Sequence, residues 1–200
     1  MAEPEPVTVA ARVRTHRARL RAQGLRPVQI WVPDVRSPRF AAAAHTQSAA
    51  IAASEAEAED QAFVDAISTL SADWAAEEGG GAAPRGDTGA AGVRRGELYP
   101  AAARGAYTGK PRPVVIVQDD RFDATASITV CPLTTNAVEA PLVRIRIEPD
   151  EVNGLDQPSS LMVDKLTTIP RASLGGRLGQ LTDEDMLRLG RAMVVFLGLA

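Results

Sequence analysis

Residues 77–92 read EEGGGAAPRGDTGAAG, and no other stretch constrains the fold as much. It has almost no large apolar side chain and is dominated by Gly and Ala, so it cannot bury enough surface to offset the entropy of ordering. It reads as a flexible linker spanning roughly 20 Å as a coil. The segments on either side can then fold separately and still touch. A chain of 200 residues with such a linker is expected to hold two small units rather than one large domain.

Charge divides the first of these units. Arg12, Arg14, Arg17, Arg19, Arg21 and Arg26 crowd its start, whereas Glu55, Glu57, Glu59, Asp60, Asp65, Asp73, Glu77 and Glu78 follow with no basic residue among them. Such an order suits a basic part facing a polyanion and an acidic part facing a cationic partner. The one cysteine, Cys131, excludes an intrachain disulfide and any multi-cysteine metal site. No stretch reaches the roughly 18–20 apolar residues that cross a bilayer, and MAEPEPVTVA lacks the regions of a secretory signal. A soluble, cytoplasmic protein is expected, with no membrane partner.

Before the linker, residues 12–23 suit a basic helix ended by Gly24. Residues 27–33 (PVQIWVP) alternate Val28, Ile30 and Val32 against Gln29 and Trp31, a strand period bounded by prolines. Ser37-Pro38 forms a cap and first turn for an Ala-rich helix containing Phe40, Ser48 and Ile51. A further helix over about 58–70 puts Phe63, Ile67 and Leu70 on one face, with Trp74 beyond it. This part is too short and too poor in apolar residues to stand alone, so dimerisation or a partner is expected.

After the linker the pattern changes to short strands: 114–118 (VVIVQ), 127–133 (SITVCPL), the alternating 142–147 (LVRIRI, with Arg144 and Arg146 on one face) and 160–168. Thr182 caps a closing helix to Leu197, with Met186, Leu187, Leu189, Met193, Val194 and Phe196 as its apolar surface. Several short strands and one helix predict a small curved sheet or barrel packed by the terminal helix. Cys131 reads as a buried small residue and Asp164 as structural.

Three linked motifs follow one another: RGELY at 95–99, TGKPRPVVIV at 108–117 and VCPLTTN at 130–136. In this order they resemble the signature of the MazF/PemK toxins, from about Arg94 to Ala200. The resemblance implies an SH3-like barrel that dimerises and cleaves single-stranded RNA at short motifs, as an mRNA interferase does. Carried over by position, Arg112 and Thr134 match the family's catalytic pair. The same resemblance implies that Arg104, Tyr107, Thr108 and Lys110 lie in the loop over the RNA groove and that Thr135 and Asn136 help to hold the strand. Ala101-Ala102-Ala103 stands where the family has Asp-Pro, and Tyr107 falls where a loop glutamate is common.

The chemistry can be reasoned separately. Metal-free RNA cleavage uses the neighbouring 2′-OH as nucleophile, leaving a 2′,3′-cyclic phosphate and a 5′-OH. A guanidinium suits bidentate binding of phosphate oxygens, and stabilising the developing charge is often the largest catalytic term. His16 and His45, the only histidines, precede the linker, which excludes a two-histidine mechanism within the C-terminal part. Without a cluster of carboxylates and histidines, neither a metal nor another cofactor is expected.

Residues 19–34 (RLRAQGLRPVQIWVPD) resemble the MazE-like antitoxins. A strand followed by helices is also similar to ribbon-helix-helix DNA binders. Gln29, with Arg26 nearby, would then face base edges of operator DNA while Val28, Ile30 and Val32 pack inside a dimer. The acidic segment, with Phe63, Ile67, Leu70 and Trp74 as anchors, is similar to those that antitoxins lay across toxins, from the same chain or a neighbouring one. The expected α+β organisation is therefore an antitoxin dimerisation and DNA-binding segment (1–54), mostly helical with one short strand. An acidic neutralising segment (55–76), the linker (77–92) and a barrel toxin with a terminal helix (93–200) follow. The function expected is an endoribonuclease inhibited by its own antitoxin. The alternatives are a DNA-binding autorepressor with an inactive barrel, or a barrel toxin acting on a protein.

Overall fold

The computed structural model describes residues 8–68, 92–102 and 110–200. By its contacts the chain divides into two compact units, Met1–Trp31 and Val32–Ala200.

The first unit contains helix α1 (Val9–Ala22). The Thr8 hydroxyl accepts from Ala11 N at its start, and Gly24 follows its end at a positive φ of 77° that Cβ-bearing residues rarely adopt. α1 buries none of its residues.

Residues 25–34 do not form the strand expected at 27–33. An alternating pattern shapes one edge of a ladder, but the ladder also requires a partner. Among the described residues none is paired with it, and Pro27 and Pro33 offer no N–H. Val28, Ile30 and Trp31 are consequently 66%, 42% and 78% exposed.

The second unit opens with α2 (Pro38–Ala52), capped by Ser37, whose hydroxyl accepts from Phe40 N at 3.1 Å. α3 (Glu57–Ser68) follows, with Glu57, Glu59 and Asp60 in its first turn, where negative charge complements the helix dipole. Seven strands come next: β1 (Glu97–Ala101), β2 (Arg112–Ile116), β3 (Ser127–Thr134), β4 (Arg144–Ile147), β5 (Ser159–Met162), β6 (Thr167–Pro170) and β7 (Gly179–Gln180). Helix α4 (Asp183–Phe196) closes the unit, capped by Thr182 as its sequence predicts.

All strand pairs are antiparallel, in the order β4-β5-β3-β2-β1-β7, with β6 also on β3. β3 accounts for the curl. Its start pairs with β6 (Ile128↔Ile169) and its end with β5 (Leu133↔Leu161), so one strand serves both halves of the sheet. The stretch 160–168, expected as one strand, is therefore two, separated by a short 3-10 turn at Val163–Lys165. The expected architecture of a small curved sheet, a terminal helix and a helical segment ahead of it is observed.

The apolar run of β2 has no polar face because both of its faces are covered. Val115 and Val117 join Leu98, Cys131, Leu133, Leu161 and, from α4, Leu189. Val114 and Ile116 point the other way, into a cluster with Tyr99, Ile128, Val130 and Ile169 that α3 covers with Phe63, Val64 and Ile67. Each of those three α3 side chains contributes roughly 1.5–3 kcal/mol by leaving water. Among the described residues, no helix is long and apolar enough to cross a membrane.

Candidate active site

β2 pairs with β3 so that Val114 faces Pro132 and Val115 faces Cys131. Continued by two residues, this register sets Arg112, the first residue of β2, level with Thr134, the last of β3. The two residues stand on adjacent strand ends that packing on both faces holds in place, a rigid base for a site.

Asp60 of α3 lies between them. Its Oδ1 accepts from Arg112 Nη1 at 2.6 Å, from the Thr134 hydroxyl at 3.0 Å and from Asn136 Nδ2 at 3.3 Å. The backbone N–H of Asn136 in turn donates to Thr134 Oγ1 at 3.2 Å, which orients the hydroxyl. Arg112 Nη2 donates to Glu59, and the guanidinium lies over the Phe63 ring, 5.2 Å from its centroid. A guanidinium, a hydroxyl and an amide thus converge on one carboxylate oxygen. Those donors suit any oxyanion, a phosphodiester included.

A second group of charges adjoins the first. Arg144 Nη1 lies 3.6 Å from Asp60 Oδ2, an ion pair too long for a hydrogen bond, and Arg144 Nη2 donates to Asp164 at 3.0 Å. Lys165 Nζ donates to Glu57 at 2.6 Å and to Gln61 at 3.0 Å. Burial raises the Asp164 carboxyl above the usual carboxylate range, while Arg144 and Lys165 pull it back. Arg144 and Arg146, expected to share a strand face, differ in environment: Arg144 is buried under the acids of α3, whereas Arg146 is exposed beside Glu148.

Beside the covered site runs an open cleft of about 510 Å³, lined by Lys110, Arg112, Thr134, Thr135, Asn136 and Gln157 among others. Lys110 and Thr135 are exposed there and Asn136 is half-buried. Phe63 and Ile67 are buried against the sheet. Arg26 and Gln29 are exposed. Arg104, Tyr107 and Thr108, like Leu70 and Trp74, lie outside the described residues, as does nearly all of the linker. Cys131 is fully buried and its thiol is raised by that burial. Among the described residues, no group of three His, Cys, Asp or Glu could hold a metal.

Sequence reasoning missed Glu57, Glu59, Asp60, Arg144 and Lys165 as site residues. One signal was available. Asp60 falls on the same helical stripe as Phe63, Val64 and Ile67, and a carboxylate inside an apolar stripe needs a partner.

Two protein-family models match the chain. The family described as "Antitoxin MazE-like" matches residues 10–74, and the one described as "PemK-like, MazF-like toxin of type II toxin-antitoxin system" matches residues 94–197. The chain is 65% identical over 108 residues to a protein of Mycolicibacterium smegmatis named "Probable endoribonuclease MazF", covering 54% of this chain and 99% of that one. It is 70% identical over 63 residues to "Antitoxin MazE" of the same organism, covering 32% of this chain and 87% of that one. A solved mycobacterial endoribonuclease in complex with its cognate antitoxin is 26% identical, with a TM-score of 0.45, over 54% of this chain and 96% of that one. This chain belongs to the PemK-like, MazF-like toxin family of type II toxin–antitoxin systems, and carries a MazE-like antitoxin segment ahead of the toxin in one polypeptide.

Proposed function

We propose that the toxin part is a metal-independent, sequence-specific endoribonuclease for single-stranded RNA, and that α3 holds it inactive by placing Asp60 where the scissile phosphate binds. The observation that supports this reading is the set of donors around Asp60 Oδ1: Arg112, Thr134 and Asn136. With α3 displaced, a phosphodiester takes the place of the carboxylate. The 2′-hydroxyl gives up its proton to solvent as its oxygen bonds to phosphorus, the P–O5′ bond breaks and the 5′-oxygen takes up a proton, so the step is proton-neutral overall. Arg112 binds the phosphoryl oxygens and stabilises the added charge, Thr134 donates to the same centre, and Asn136 helps to hold the strand. Lys110 and Thr135 line the adjoining cleft, where the strand continues.

The full chain carrying Asp60→Arg, which sets a cation against Arg112 and Arg144 and so expels α3, tests the reading. Incubated with single-stranded RNA in EDTA, it should give 2′,3′-cyclic phosphate and 5′-OH ends. Adding Arg112→Ala should abolish the products. A folded Asp60→Arg chain that leaves every RNA tested intact contradicts the proposal.

A second reading concerns the N-terminal part. Val28, Ile30 and Trp31 are exposed on an extended segment next to the arginines of α1. A second copy would supply the missing partner strand, with Gln29 and Arg26 facing operator DNA. A shift of promoter-proximal duplex DNA by the chain, lost with Gln29→Ala, would support it; no shift at low salt would oppose it.

A further inference from the structure

With α3 in place, two cations of the toxin part are buried beside the Arg112–Thr134 site, and the toxin part supplies one carboxylate for both. Arg144 and Lys165 are 4% and 7% exposed, and Asp164 lies 3.0 Å from the first and 3.7 Å from the second. Covering a charge without a counter-charge is costly, so whatever covers these two cations must bring a second anion beside Asp164. Arg144 shows the same incompleteness atom by atom: Nε and Nη1 are buried and have no hydrogen-bond partner among the described residues, and Nη1 faces Asp60 Oδ2 at 3.6 Å. The missing anion is supplied by Glu57, which reaches Lys165 Nζ at 2.6 Å and Arg144 Nη2 at 3.7 Å.

Glu57 and Asp60 stand three residues apart on α3, which makes them neighbours on one helix face. Arg144 touches both. The helix therefore presents two carboxylates at a fixed spacing to two adjoining cationic positions, as a nucleic-acid strand presents two successive phosphates. Resting on the reading of the first position as the scissile-phosphate site, we propose that Arg144 and Lys165 form a second phosphate subsite, which binds the backbone phosphate next to the cleaved one. Lys165 is the principal ligand of this subsite. Arg144 bridges it to the first.

The test uses the full chain with Asp60→Arg and a non-cleavable 2′-O-methyl oligonucleotide of a sequence that this chain cleaves. Lys165→Met should lower affinity roughly tenfold, the loss of one charge-assisted contact, and reduce the slope of log affinity against log salt by about 0.7. Lys165→Arg should restore both. A neutral methylphosphonate, moved through the phosphates flanking the cleaved position, supplies the decisive cycle. At one flanking phosphate it should weaken binding to the Lys165 protein and have no further effect on Lys165→Met. If the two effects add at every flanking phosphate, the subsite does not exist and these cations serve only the antitoxin. If the Asp60→Arg chain neither cleaves nor binds RNA, the parent reading fails instead.

Discussion

Asp60 Oδ1 on α3 lies 2.6 Å from Arg112 Nη1 on β2, across 52 positions of sequence. Both belong to the compact unit that begins at Val32, so the contact joins an acidic helix ahead of the linker to the sheet behind it. Asp60 also meets Thr134, Asn136 and Arg144, so four side chains of the sheet part converge on it.

Asp60→Asn keeps the shape of this side chain and removes its charge. Arg112 and Arg144 would then face an uncharged amide from inside a covered site. Breaking a buried pair in this way costs about 3–5 kcal/mol, and the cost falls on the docking of α3. Hydrogen exchange should show the amides of α3 losing protection while those of β2 and β3 keep theirs.

Phe63 is fully buried and contributes apolar contact as well as a ring face for Arg112. Phe63→Ala should destabilise the unit by about 3–5 kcal/mol and Phe63→Leu by much less. Thermal unfolding followed by calorimetry would rank them. Equal losses would mean that α3 does not depend on this anchor.

The strand ends and helix caps were readable because their causes are local. Ser37-Pro38 and Thr182 announce helices by capping chemistry, and VVIVQ and SITVCPL announce strands by apolar runs. β1 (ELYPA) was legible only as part of a motif, since Pro100 interrupts its pattern, and the two residues of β7 are too few to carry a signal. The expected strand at 27–33 failed because periodicity says nothing about whether a partner is present. Arg112 and Thr134 were named from motifs. The groups that surround them were not, because Asp60, Glu57 and Lys165 meet their partners across 52 to 108 positions and nothing in a linear pattern fixes such pairs.

Asp164 gives the assembly a pH dependence with a definite sign. Burial raises its carboxyl above the ordinary 3.8, against the pull of Arg144 and Lys165 and with Glu57 adding to the rise. The folded state therefore holds this proton more tightly than the unfolded chain. The group's cost is absent below about pH 3.8 and grows as pH rises through the elevated value. Relative to Asp164→Asn, the parent should lose unfolding free energy as pH rises above 3.8. A difference that widens in the parent's favour would contradict the assigned direction.

Tyr99 donates to Glu97 at 2.8 Å, and burial together with that carboxylate pushes its phenol up to about 12. The folded chain keeps the proton that an unfolded tyrosine releases near 10, so stability linked to Tyr99 is lost as pH climbs from 10 to 12. Ultraviolet titration should show a late phenolate transition that Tyr99→Phe removes.

Whether the Asp60 carboxylate occupies the position of the scissile phosphate is tested most directly by RNA cleavage with the full chain, with and without Asp60→Arg. At equal protein concentration and in EDTA, Asp60→Arg should cleave single-stranded RNA at least tenfold faster than the parent, and Asp60→Arg with Arg112→Ala should not cleave. A parent chain that already cleaves as fast as its folded Asp60→Arg variant would contradict the account.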